Sequence, residues 1–328
     1  MKIGMTYDLK GDYLAAGMSE EAAAEFDRLD TVESVESCLR SLGHEVERIG
    51  NLKKLVDALA QGSRWDLVFN FAEGLGGFGR EAQVPALLEA YGIPFTFSDS
   101  LVMALSLHKG MTKHFLRDRG IPTAPFVVIE RAADLDHFDS AQLRYPLFIK
   151  PVAEGTSKGI HADCRVEFPE KLRGVVLELL GKYNQPVLIE EYLPGREFTV
   201  GIIGTGAAAR CVGVVEIAID PSRSTRDYTY ETKMNYENCV EYIPSHDEVA
   251  QGSADVALRA WVAMGCRDAG RVDVRVDREG VPHVIELNPL AGLNPKISDL
   301  PILARKNGIS YETLIRDIVQ SASERMKG

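Results

Sequence analysis

The sequence predicts an α/β protein with a mostly parallel sheet in its N-terminal lobe and α+β lobes behind it. Two observations carry this expectation. Over the first hundred residues short apolar strands alternate with helices, the pattern of parallel strands covered on both faces. Further on, strand-like runs come in pairs joined by turns. Arg271–Asp277 and His283–Leu287 form the clearest pair: polar residues alternate with valine in the first, and Asp277-Arg-Glu-Gly280 supplies the turn.

Taken in order, Lys2–Tyr7 reads as the first strand. The polar, alanine-rich stretch Asp8–Leu29 reads as a loop with a helical piece over Ser19–Phe26. Val32, Val35, Leu39 and Leu42 recur at helical spacing, and Gly43 closes that helix. Strand His44–Ile49, helix Leu52–Gln61, strand Asp66–Phe71, helix Glu81–Tyr91 and strand Ile93–Thr96 complete the alternation. One helix is expected over Leu101–Arg119. Strands follow at Pro125–Ile129, Leu147–Lys150, Val187–Tyr192, Glu197–Ile203 and Cys211–Ala218, and helices at Val249–Met264, Leu300–Asn307 and Tyr311–Ser323.

The 328 residues, 45% hydrophobic and 26% charged, suffice for two or three packed lobes. A net charge of −11 argues against a nucleic-acid surface but leaves room for one triphosphate held by a metal and a few lysines. No apolar run reaches membrane-spanning length, and the first eight residues read as a strand, not a signal peptide. Five scattered cysteines, without a Cys-x-x-Cys pair, point to reduced thiols in a cytoplasm and give no zinc site.

Several stretches can carry chemistry. Gly74-x-Gly76-x-x-Gly79 lies between a strand and a helix, with Asp99 twenty residues beyond, the form of a dinucleotide fingerprint. It does not follow the first strand, and a turn bringing N–H groups to a carboxylate is the alternative. Lys109 and Lys113, four apart, read by spacing alone as a solvated helix face. Lys150-Pro-Val-Ala-Glu-Gly-Thr-Ser-Lys-Gly159 is a small-residue loop whose N–H groups, with Thr156, Ser157 and Lys158, can wrap anionic oxygens, or else is a plain mobile loop; no Walker A motif occurs. Glu190 and Glu191 end a strand, and Asp220–Tyr242 is a connection long enough for a lid. In the hairpin, a loop of Arg278–Val281 pairs Asp277 with Pro282 and puts Asp273 opposite Glu286. Asp273, Glu286 and Asn288 then cluster beside Arg271, a donor set for a hard cation such as Mg²⁺; an ordinary solvated hairpin stays open on this stretch alone.

In combination these stretches resemble the ATP-grasp superfamily, and within it the D-alanine–D-alanine ligases, over nearly the whole chain. The matching pieces are Leu-Leu-Glu-Ala-Tyr-Gly-Ile-Pro-Phe-Thr, His-Lys-Gly-Met-Thr-Lys, Ile-Lys-Pro with Glu-Gly-Thr-Ser-Lys-Gly, and Ile-Glu-Glu-Tyr-Leu-Pro-Gly-Arg-Glu-Phe-Thr-Val. Tyr-Glu-Thr-Lys, Gly-Arg-Val-Asp-Val and Ile-Glu-Leu-Asn-Pro follow. The resemblance implies an ATP-grasp fold: a parallel-sheet preATP-grasp lobe over 1–100, a central lobe with the phosphate loop over 101–185, and an ATP- and metal-binding lobe over 186–328. It implies that Lys109 and Lys150 hold ATP phosphates, that Glu154 to Gly159, with Thr156, Ser157 and Lys158, covers the triphosphate, that Glu190, Glu191, Tyr192 and Leu193 rim the adenine, and that Glu197 takes the ribose. Lys233 would reach the γ-phosphate. Asp273, Glu286 and Asn288 would bind two Mg²⁺ ions, with Mn²⁺ an alternative. Arg271 and the Gly292 N–H would stabilise a tetrahedral oxyanion. The implied reaction is amide formation through an acyl phosphate, with amino-acid or carboxylate substrates; a homodimer is the family habit.

Departures from the family pattern concern the substrate pockets. The early Gly-rich turn and its amine-binding Glu are absent; Glu21, Glu25 or Asp27 are the available substitutes. Met234 follows the lid lysine, with Tyr236 two further on, and Lys296 or Ser298 could meet a substrate carboxylate. The expectation is therefore an amide-forming ligase with both substrate pockets open to alteration, of which D-alanine–D-alanine ligase is the commonest special case. The alternatives are an NAD(P)-dependent oxidoreductase using Gly74–Gly79 and an ATP-binding protein without catalysis.

Overall fold

The computed structural model describes residues 1–156, 158–219 and 240–326. Three sheets organise it. β1 (Lys2–Thr6) is flanked by β2 (Glu45–Gly50) and β3 (Leu67–Asn70), all parallel. Helices α2 (Leu29–Ser41) and α3 (Leu52–Ala60) make the two crossovers and α4 (Gln83–Ala90) follows β3, so the alternating pattern gives the parallel sheet it implies. The stretch expected as a fourth strand at Ile93–Thr96 makes only a bridge between Phe95 and Val68. The expected helical piece at Ser19–Phe26 is a series of turns, and a short helix α1 forms instead at Lys10–Ala15.

The expected single helix 101–119 is two: α5 (Ser100–Leu107) and α6 (Lys109–Asp118). His108 between them is extended, with φ −88° and ψ 91°, and its Nδ1 accepts the Met111 N–H at 3.2 Å. Gly110 fits here because a Cβ would lie 2.6 Å from Val128. The imidazole acts as an N-cap, and the break puts Lys109 at the first position of α6.

The central sheet is antiparallel in the order β4 (Phe126–Ile129), β7 (Val187–Glu191), β5 (Leu147–Pro151), β6 (Arg165–Val166), backed by α7 (Pro169–Tyr183). The third sheet is also antiparallel, in the order β10 (Val240–Pro244), β9 (Arg210–Ile219), β8 (Glu197–Ile203), β11 (Ala269–Val276), β12 (Pro282–Asn288). α8 (Glu248–Met264) packs on it through the fully buried Trp261, whose Nε1 donates to the Gly204 carbonyl at 3.1 Å. α9 (Asp299–Lys306) and α10 (Tyr311–Arg325) complete the described chain. One apolar cluster joins Ile3, Met5 and Phe69 of the first sheet to Leu303 of α9 and Ile315 of α10. Buried Asp268 fastens this junction: it accepts from Phe97 N at 2.8 Å, Ser321 Oγ at 2.8 Å and Arg325 Nη2 at 2.6 Å.

Candidate active site

The β11–β12 hairpin gives the expected facing pair by an unexpected route. Asp273 pairs with Glu286 and Arg271 with Asn288, yet Val276, not Asp277, pairs with Pro282. The turn is one residue longer than expected, and Ile285 is the extra residue of a bulge that compensates. Thr199 on neighbouring β8 donates to Asp273 at 2.9 Å, Asn288 Nδ2 donates to Asp273 at 3.2 Å, and Arg271 pairs with Asp273 and with Asp299. Tyr242 donates to Asp299 at 2.6 Å. Burial raises the Asp273 carboxyl, with Arg271 opposing, whereas at Glu286 burial is overcome by Lys109, Lys150 and Arg271 and the carboxyl is held down.

Across the cleft stand three buried lysines. Lys109 pairs with Glu286 at 2.9 Å and donates to the Glu154 carbonyl at 2.6 Å. Lys113 and Lys150 each reach Glu190 at 2.7 Å. Burial alone would push the Glu190 carboxyl up; the two lysines reverse this and hold it at about 2. The solvated-face reading of Lys109 and Lys113 is therefore overturned: they lie on the inner face of α6, 5% and 1% exposed. The spacing that suggested a wet face also aligns them on one line toward the cleft.

The cleft between these walls measures about 1070 Å³, mouth included. Glu191, Tyr192, Leu193 and Glu197 line one end of it, Glu154 and Thr156 a side. Arg275 donates to the Tyr192 hydroxyl at 2.6 Å and pairs with Glu197 at 3.3 Å. Of the residues named from the sequence, Lys158 is not among those lining the cleft; it pairs with Glu154 at 2.6 Å and Glu25 at 3.2 Å. Gly292 lies in a second cavity rather than in this one. Ser157, Lys233, Met234 and Tyr236, and most of the expected lid, are outside the described residues.

The second cavity adjoins the first and shares Thr156, Arg271, Glu286, Asn288 and Asp299 with it; it measures about 2020 Å³ with its mouth. Glu25 sits in its wall and ties the N-terminal part of the chain to the loop at 153–158. It accepts Gly155 N–H at 2.6 Å and two bonds from Arg80 at 3.1 Å, and pairs with Lys158. Arg80 also donates to the Ala153 carbonyl at 2.8 Å. The Gly-rich turn serves this link: Gly74, at φ +73°, passes so close to Arg80 that a Cβ would lie 2.1 Å from its carbonyl oxygen. Asp27, Glu73 and Glu81 also line this cavity, and nothing in their spacing marked the last two beforehand.

Among the described residues no three His, Cys, Asp or Glu side chains gather into a metal cage. Two facing carboxylates and one amide, open toward the cleft, suit instead an ion that takes its remaining oxygens from a polyphosphate.

A lysine-walled cleft between two antiparallel sheets, with facing acids on a hairpin, defines an ATP-grasp ligase. The family model for the D-ala D-ala ligase C-terminus matches residues 115–320. The D-alanine–D-alanine ligase B of Chromobacterium violaceum is 32% identical over 287 residues, 87% of this chain and 89% of that one. The D-alanine–D-alanine ligase of a Marinomonas species is 30% identical over 327 residues, 98% and 99% of the two chains. The crystal structure of D-alanine–D-alanine ligase from Bacillus anthracis complexed with ATP shares the fold over the full length of both chains, with a TM-score of 0.77 at 24% identity. The chain belongs to the D-alanine–D-alanine ligase family and is an ATP-dependent ligase that forms a C–N bond. The oxidoreductase reading of Gly74–Gly79 finds no support in these relatives, and the turn's tight approach to Arg80 accounts for its glycine at position 74.

Proposed function

We propose that the protein joins two amino acids of the D-alanine type into a dipeptide through an acyl phosphate, in pockets altered from those that take two D-alanines. The observation that carries this reading is the continuity of the two cavities: the cleft walled by Lys109, Lys150 and Glu286 opens at Thr156 and Arg271 into a second space large enough for both amino acids. In this reading Lys109 and Lys150 meet phosphate oxygens, leaving Glu286 and Glu190 as their resting partners. Glu191, Tyr192 and Leu193 rim the base and Glu197 takes the ribose. Thr156 and its loop lie over the triphosphate, with Glu154 fixing the loop's start. Arg271 and the Gly292 N–H meet the oxyanion of the second step. Asp273, Glu286 and Asn288 would hold Mg²⁺, which neutralises charge between carboxylate and γ-phosphate. The carboxylate of one substrate attacks the γ-phosphorus and ADP leaves; the amine of the other attacks the acyl carbon, phosphate leaves, and a proton is released with the amide. Much of the barrier, roughly 7–11 kcal/mol at best, comes from holding these groups in line.

The test is a phosphate-release screen with ATP, Mg²⁺ and pairs of D- and L-amino acids, with products read by mass. The expected result is ATP-dependent dipeptide from at least one pair, with one phosphate per amide. ATP binding without phosphate release across the panel would contradict it.

A further inference from the structure

Asp27, Glu73 and Glu81 share the wall of the second cavity, and none of their three side-chain carboxylates makes a hydrogen bond or ion pair with a described residue, although the Asp27 backbone bonds Lys10 and Asp8. Each is half-buried, and the face left open looks into the cavity. The described cations around them are already matched. Arg80 is taken by Glu25 and the Ala153 carbonyl, Lys10 by Glu20 at 2.8 Å, Arg28 by Asp30 at 3.1 Å, Lys109 by Glu286, and Arg271 by Asp273 and Asp299. Three carboxylates without partners among the described residues, in a sheltered space, are costly unless a cation or protons answer them. Burial pushes all three carboxyls up, Glu81 to about 7, with Arg80 partly opposing at Glu81 and Glu73. The α-ammonium of one amino acid answers one such group and leaves the others open.

We propose that one of the two substrates is an amino acid with a second cationic group, a side-chain amine or guanidinium, seated on Asp27, Glu73 and Glu81. This rests on the dipeptide-forming reading above and names the substrate class for it. The cavity's volume of about 2020 Å³, mouth included, leaves room for a side chain far longer than a methyl. The cationic group plays no part in bond making; it supplies binding energy and selects the substrate that positions its carboxylate or amine at Thr156 and Arg271.

The test compares lysine, ornithine and arginine with norleucine and alanine, in both chiral forms and in all pairs, under Mg²⁺ and ATP, reading phosphate and product mass. Norleucine keeps the length of lysine without its ammonium. The expected result is a cationic member whose kcat/KM exceeds that of norleucine roughly tenfold or more, the worth of one sheltered charge pair. Glu73→Gln and Glu81→Gln should each reduce that ratio. Alanine or norleucine pairs that turn over as well as every cationic pair would overturn the substrate class while leaving the ligase reading standing. Silence across all pairs would overturn both.

Discussion

Asp273 faces Glu286 across the β11–β12 pair only because a longer turn and the bulge at Ile285 cancel. The two acids are adjacent, sheltered and held by neighbours that hydrogen-bond rather than pack: Thr199 and Asn288 for Asp273, Lys109 for Glu286. We expect Glu286→Ala and Asn288→Ala each to lower ADP formation by roughly 10²-fold or more, the scale of losing one preorganised charge partner. The melting temperature of Asn288→Ala should stay near that of the wild type, whereas Glu286→Ala, which leaves the buried Lys109 without its carboxylate, should melt lower, so its ADP formation is read well below its own melting temperature. Near-normal turnover in either variant would remove them from the reacting centre.

Glu190 is expected to matter for stability as well as for the cleft. Lys113→Met leaves it one lysine short in a buried setting, a loss on the order of 3 kcal/mol. The pH dependence has a definite sign. The folded pKa of about 2 lies below the ordinary 4.5, so the folded state binds the proton less well than the unfolded chain. The stabilisation is complete above about pH 4.5 and is lost as pH falls from there toward 2. Urea unfolding across that window should show a steeper fall for the wild type than for Glu190→Gln; equal slopes would contradict the pairing.

Glu25 holds the loop proposed to cover the phosphates through Gly155, Lys158 and Arg80. Glu25→Gln should speed hydrogen exchange over residues 154–159 and raise KM for ATP, with a smaller change in kcat. Unchanged exchange there would show that the loop holds its place without Glu25.

Gly74→Ala should destabilise by about 1–3 kcal/mol, because the new methyl group would meet the Arg80 carbonyl and the backbone is left-handed. Thermal melting checks this, and the exchange rate over residues 154–159 should rise as it does for Glu25→Gln, because both changes act through Arg80.

Much of this architecture is legible in the residues. The alternation of strand and helix follows from periodicity, which is local; the Asp273–Glu286 pairing expected from a shorter turn holds only because the bulge at Ile285 offsets the longer one. What escaped local reasoning depends on partners far along the chain. The break at His108 is an imidazole capping its own helix inside a run of good helix formers, so propensity alone runs straight through it. Lys113 looks solvated until Glu190, 77 residues later by number, is brought against it. The pairing of Lys158 with Glu25, 133 positions away, is likewise invisible to a local reading of its small-residue loop. Glu73 and Glu81 belong to a turn whose glycines invite a nucleotide reading, and only the cavity shows what they face.

The most direct measurement is Mn²⁺ binding by electron paramagnetic resonance, with and without ATP, on the wild type and on a variant carrying Asp273→Asn and Glu286→Gln. Tight Mn²⁺ binding that needs ATP in the wild type and disappears in the variant is the expected result. Equal ATP-dependent binding in both proteins would contradict a nucleotide-shared metal on this hairpin.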